Sequence, residues 1–228
     1  MRILLIILAL NGFVFPSLSQ LDSIHYLPPL HSRYNGQIQD HYMYLSTPEP
    51  TPFTVTITDG AGTLLGTETI SDGNPARFNV GTGQTTGSQL FVDRNDVFTP
   101  LVDKGLIAEG DYDFYAEVRV RSAFQAESYT GKGLSAVGRE FRLGGFPQSC
   151  NCSNDRNFAI GILSLENGNT INVSDFAPGV TFVQPVGTNT PGGNLNITLN
   201  QGESFVLSGY SNVADNLDGI VGALVTSS

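Results

Sequence analysis

Three histidines, His25, His31 and His41, fall within one short stretch near the start of the chain. Neutral imidazole is a preferred zinc ligand, so three converging on a folded loop would make a metal site. Pro28 and Pro29 stand between the first two, however, and dispersed polar histidines are the commoner case, so no metal is expected. Cys150 and Cys152 are separated by Asn151 alone. A bridge across one residue closes a strained ring, and two thiols are too few for a closed zinc site. The expectation is a pair of thiols in a hinge or a strained local bridge. Asp93, Asn95 and Asp96, and the later Asp215, Asn216 and Asp218, hold oxygen ligands at close spacing. Calcium favours such oxygens, but neither group matches the twelve-residue calcium loop, and Asp and Asn are ordinary turn formers. The calcium reading at Asp93, Asn95 and Asp96 is therefore the weaker one, and no cofactor is expected. Glu109, Asp111 and Asp113 lie close enough for paired-carboxylate glycoside hydrolysis, yet Asp113 sits on a polar strand face without a recognisable partner.

Nucleophilic and phosphate-handling patterns fail on spacing. The run Gly133-Leu134-Ser135-Ala136-Val137-Gly138 has one residue too many for a nucleophile elbow, and no histidine follows His41. Gly81, Gly83 and Gly87 displace the third glycine of a dinucleotide loop and lack a strand–helix setting. The chain therefore reads as non-enzymatic.

The first residues read as an address. Arg2 precedes the apolar run Ile3 to Leu10, and Ser17-Leu18-Ser19 offers small residues for cleavage before Gln20. Asn11, Gly12 and Pro16 interrupt that run short of the roughly 20 apolar residues a spanning helix needs. Residues 1–19 are thus expected to be a signal peptide, and no membrane span is expected after its removal. The net charge of −10 argues against nucleic acid, whose affinity rests on Lys and Arg neutralising phosphates. Only 14% of residues are charged and tryptophan is absent.

Elements that position side chains are almost all strands. Phe53, Val55 and Ile57 alternate with Thr54, Thr56 and Thr58, the period of a strand with one buried face. In the run Tyr112 to Arg121, Tyr112, Phe114, Ala116, Val118 and Val120 alternate with Asp113, Tyr115, Glu117, Arg119 and Arg121. Ile220, Val221, Ala223, Leu224 and Val225 are apolar on both faces, as in a covered central strand. Helical periodicity is confined to a turn near Leu134–Val137. A duplication is read at an offset of about 116 residues, pairing Thr54–Asp59 with Thr170–Asp175 and Ala76–Val80 with Leu195–Leu199. Leu90–Val92 and Gly105–Ile107 likewise pair with Phe205–Leu207 and Gly219–Val221. The predicted fold is all-β, an antiparallel sandwich-like arrangement of two duplicated units. Residues 20–146 form the first domain, 147–154 a linker, and 155–228 a second domain that stops early and leaves strand edges unpaired.

The segment Asp111 to Ser122, continuing through Gln125-Ala126 and Lys132-Gly133-Leu134 to Gly138, resembles the IgGFc-binding-protein-like N-terminal domain of exported Bacteroidetes surface proteins. His25-Tyr26-Leu27-Pro28-Pro29 and the closing Gly219 to Ser228 support the resemblance. It implies a β-rich, non-catalytic module for adhesion or extracellular recognition, secreted or on the cell surface, at the front of a longer protein that uses type IX secretion. The chain departs from the family by ending at Ser228 without a Lys-Pro-containing strand. The expected partner is an extracellular protein or glycan. The expected contact is the polar strand face of Arg119 and Arg121 with the following loop, including Gln125 and Lys132. The alternative is a carbohydrate-binding accessory module, for which exposed aromatics on a sheet face would be the tool; Tyr115 is the one such residue on that strand's polar side.

Overall fold

The computed structural model describes residues 20–32, 38–81, 88–122, 126–145 and 157–228. The expected signal segment, Gln125, the cysteine pair and the expected linker lie outside these residues. The described chain is all-β: its helical turns are short 3-10 segments, among them Gly133–Ala136 where the sequence placed a turn. Among the described residues no helix is long and apolar enough to cross a membrane.

The first half is organised around one strand. β1 (Asp22–Leu27), β3 (Asp40–Ser46), β4 (Phe53–Thr58), β5 (Leu64–Ile70), β6 (Ala76–Asn79) and β9 (Ala126–Thr130) join the 16-residue β8 (Leu106–Arg121) in a seven-stranded sheet. The beginning of β8 runs between β1 and β4, and its end between β3 and β9. A strand that changes neighbours midway turns a corner and lets one sheet fold over its own core. Gly110 sits at that corner, where a Cβ would come within 2.8 Å of the Phe53 ring. Alternation then decides what is buried. Phe53, Val55 and Ile57 of β4 meet Phe114, Ala116 and Val118 of β8 and Met43 and Leu45 of β3 in one core cluster. Tyr112 departs from the expected pattern: it is 45% exposed and packs edge-on against Phe53 with ring centroids 5.3 Å apart.

The second half stacks two sheets. β10 (Glu140–Arg142), β17 (Leu224–Ser227), β12 (Asn169–Ser174) and β15 (Asn194–Leu199) form one, and β11 (Asn157–Leu163) with β16 (Ser204–Tyr210) forms the other. Ile171, Val173, Ile197, Leu199, Phe205, Leu207 and Val225 fill the space between them, with Phe176 and Phe182. Short strands β13 (Phe182–Val183) and β14 (Thr188–Asn189) close one side. The apolar run at Ile220 is not the expected continuous strand. Residues 217–222 turn, and only Leu224–Ser227 extend. Gly222, at φ +85°, makes that turn possible, and Val221 is left exposed. Nor is β17 an unpaired edge: it lies between β10 and β12, and β10 comes from the stretch assigned by sequence to the first domain.

The halves meet along a seam. β2 (Leu30–His31) pairs in parallel with β7 (Phe91–Val92), and the His31 Nδ1 and Ser208 Oγ of β16 are 2.7 Å apart. Val92, Val97 and Leu101 pack with Val183 and Val206. Leu101 and Ser204 exchange backbone hydrogen bonds of 2.8 Å.

Candidate functional site

Strand register builds one exposed face from residues far apart in sequence. On the solvent side of β3, Asp40, Tyr42 and Tyr44 stand opposite Arg121, Arg119 and Glu117 of β8. Tyr42 and Tyr44 also face Asn79 and Arg77 of β6, while Arg119 and Glu117 face Ser128 and Thr130 of β9. The rows Asn79–Tyr42–Arg119–Ser128 and Arg77–Tyr44–Glu117–Thr130 therefore cross four strands, each step about 4.8 Å. Tyr115, 41% exposed, extends the face along β8 opposite Ser46.

Guanidinium groups interleave with the rings. Arg77 lies 4.2 Å from the Tyr42 ring centroid and Arg119 5.0 Å from that of Tyr44, both diagonal neighbours across the strands. Such stacking is favourable and orders long, flexible side chains. Arg119 is further held by two bonds to Glu117, of 2.9 and 3.1 Å, which raise its pKa above the ordinary guanidinium value. Arg121 binds Asp40 at 2.6 Å. Arg77 has no carboxylate partner among the described residues, so its donor fork remains open to a ligand. The side chains of β3, β8 and β9 enclose a shallow depression of about 490 Å³.

Of the residues singled out from sequence, Arg119 and Arg121 stand on this face. Lys132 is exposed beyond the end of β9, where the next turn is fastened by Asp22, whose carboxylate accepts from the Leu134 amide at 2.6 Å; Gln125 lies outside the described residues. Tyr42, Tyr44 and Arg77 were missed. Tyr42 and Tyr44 carry a local signal, because they alternate with the buried Met43 and Leu45, but β6 is too short to announce Arg77.

The histidines are core residues. His25 is fully buried against Phe114, with ring centroids 4.8 Å apart, and its Nε2–H donates to the Phe114 carbonyl at 2.8 Å. Burial lowers its pKa despite Asp22 and Asp113 nearby. His41, also fully buried, packs on Phe91 and meets Ser88 Oγ at 3.0 Å; burial lowers its pKa to about 4. His31 sits at the seam. Among the described residues no three His, Cys, Asp or Glu side chains converge as a metal-holding group. Asp93, proposed as a calcium oxygen, caps the 3-10 turn Arg94–Asp96 by accepting from the Asn95 amide at 2.7 Å. Burial, and then the Asp93 charge, raise the Asp96 pKa. Asp111 and Asp113 lie exposed at the β8 corner.

A second concavity, of about 530 Å³, opens between β10 and β11 and is lined by Phe141, Ile160, Ile162, Ile171 and Val225 together with Arg139, Arg142 and Glu166. On the four-strand face, exposed polar and aromatic groups from different strands are mutually oriented.

The molecule is thus an all-β, sandwich-like protein with an arginine–tyrosine face on its first sheet. No family model matches the chain, and no curated protein or solved structure does.

Proposed function

We propose that the chain is a non-catalytic, exported module for adhesion or extracellular recognition, and that it engages a protein partner through the face of β6, β3, β8 and β9. The observation that supports this reading is the interleaving of Arg77 and Arg119 with Tyr42 and Tyr44 on four strands in register. Tyrosine and arginine are, with tryptophan, enriched at energetically dominant positions of protein interfaces, and here they are ordered before a partner arrives, which reduces the entropy cost of docking. Arg77 offers the partner a bidentate carboxylate receptor. The apolar-run leader and the resemblance to exported surface domains favour an extracellular setting.

The second reading, a carbohydrate-binding accessory module, is favoured by three tyrosines sharing one sheet face. Two of those rings are already stacked by guanidinium groups, which leaves less open ring surface for a sugar. The test is binding of the full-length chain to immobilised extracellular-matrix glycoproteins and, in parallel, to a panel of plant and algal polysaccharides. The first reading expects binding to the former that is lost in a folded Tyr42→Ser, Arg77→Ser, Arg119→Ala, Arg121→Ala variant. Retained glycoprotein binding by that variant would overturn the site. Strong binding to one polysaccharide alone would establish the accessory module instead.

A further inference from the structure

Ser88 stands just before β7, on the first-half side of the seam. Its hydroxyl oxygen accepts from the Leu90 amide at 3.1 Å and the Phe91 amide at 3.3 Å. A serine oxygen has two lone pairs and one proton, so with both lone pairs occupied the proton points at His41 Nδ1, 3.0 Å away. His41 must then be the neutral tautomer with its proton on Nε2, an atom that is buried without a partner. Ser88 in turn sets the start of β7: Leu90 and Val92 carbonyls accept from the Leu30 and Ser32 amides at 2.9 and 3.0 Å, holding β2. β2 carries His31, which reaches Ser208, and the Pro29 carbonyl lies where a Cβ on Gly161 of β11 would stand.

We propose that His41 and Ser88 form an acid-operated latch, in which protonation of the imidazole unseats Ser88 and releases from β7 the strand β2, which packs against β11 and β16 of the second half. A proton on Nδ1 would turn the acceptor of the Ser88 hydroxyl into a competing donor, leaving three donors for two lone pairs. The surroundings offer the cation no compensation. Val120 of β8 stands opposite His41 in register, Val80 after β6 donates its amide to the His41 carbonyl, and Phe91 of β7 packs on the ring. Asp40 and Arg121 pair with each other at the surface. Another cation, Lys104, donates to the Ser88 carbonyl at 3.2 Å. His31 of β2 and His25 of β1 are the other buried imidazoles of this half.

The sign follows from burial. The His41 pKa is about 4 when latched and returns to about 6.5 when opened. The latch is at full strength above pH 6.5 and weakens as pH falls towards 4. The opening equilibrium should rise roughly twentyfold between pH 7 and pH 5. Native-state hydrogen exchange of the full-length chain, corrected for intrinsic rates, reads this at the Leu30 and Ser32 amides. His41→Asn keeps an acceptor near the Nδ1 position and cannot titrate, so its seam amides should hold constant protection over the same range. Equal acid loss in both proteins assigns the effect to other groups, His25 and His31 first, and overturns the latch. So does an acid loss spread evenly to the amides of β12. Should His41→Asn fail to fold, the imidazole nitrogens of the unaltered protein decide: a proton on Nδ1 at neutral pH, or protonation with the Leu30 and Ser32 amides still protected, overturns it.

Discussion

At the scale of single residues, two loops touch backbone to backbone. Gly60 and Gly202 approach so closely that a Cβ on either would fall on the carbonyl oxygen of the other, and one on Gly60 would also meet the Lys104 carbonyl at 2.9 Å. Gly202 needs glycine for its φ of +81° as well, whereas Gly60 has an ordinary backbone. Gly60→Ala therefore isolates the contact from the conformational effect. Backbone cannot swing aside as a flexible side chain would, and forced overpacking costs about 1–3 kcal/mol. For a chain of this size each kcal/mol lowers the melting temperature by about 2–4 °C, so thermal unfolding of Gly60→Ala should show a clear drop. An unchanged melting temperature would mean the loops do not hold this approach. Nothing in the sequence distinguishes Gly60 from glycines that merely turn, because its reason lies more than a hundred residues away.

Among the elements, β8 carries the largest share of the first core. Phe114 lies just past its corner, touches no solvent, and packs against His25 of β1 and Phe53 of β4. Phe114→Ala should cost about 3–5 kcal/mol, while Tyr112→Ala, two residues earlier on the exposed side of the corner, should cost far less. Chemical denaturation of the two variants checks the contrast, and equal losses would place the corner elsewhere. Period-two alternation made β4, the outer part of β8 and β15 legible, because each has one buried face along its length. It misjudged Tyr112 because alternation assumes a straight strand, and a corner rotates the face. It misjudged Ile220 because apolar residues in a tight turn can be buried as thoroughly as those in a strand. Half of the arginine–tyrosine face was legible for the same reason: Arg119 and Arg121 stand out against Val118 and Val120. The other half comes from β3 and β6, whose register against β8 is set by tertiary pairing.

For the whole molecule, the question is whether two β halves behave as two domains. Sequence read them as separate units joined by a linker, a reasonable inference from turn formers and a repeated strand pattern. The contacts across the seam have no local signature: His31 with Ser208, Leu101 with Ser204, and Val92, Val97 and Leu101 with Val183 and Val206. Each joins residues more than eighty positions apart. β10 adds a covalent constraint, since it leaves the first half to pair with β17 in the second. Interfaces between independently stable domains are commonly small and polar, but this one includes an apolar cluster continuous with strands of both halves. The two halves should therefore unfold together. Scanning calorimetry at pH 7 should give one transition whose calorimetric and van't Hoff enthalpies agree; two resolved transitions would show that the seam is incidental. Replacing Val206, fully buried at the centre of that cluster, with Asp would bury an unpaired carboxylate. A single cooperative unit should then lose stability throughout, so that hydrogen exchange quickens in β4 and β12 alike, whereas independent halves would confine the loss to the second.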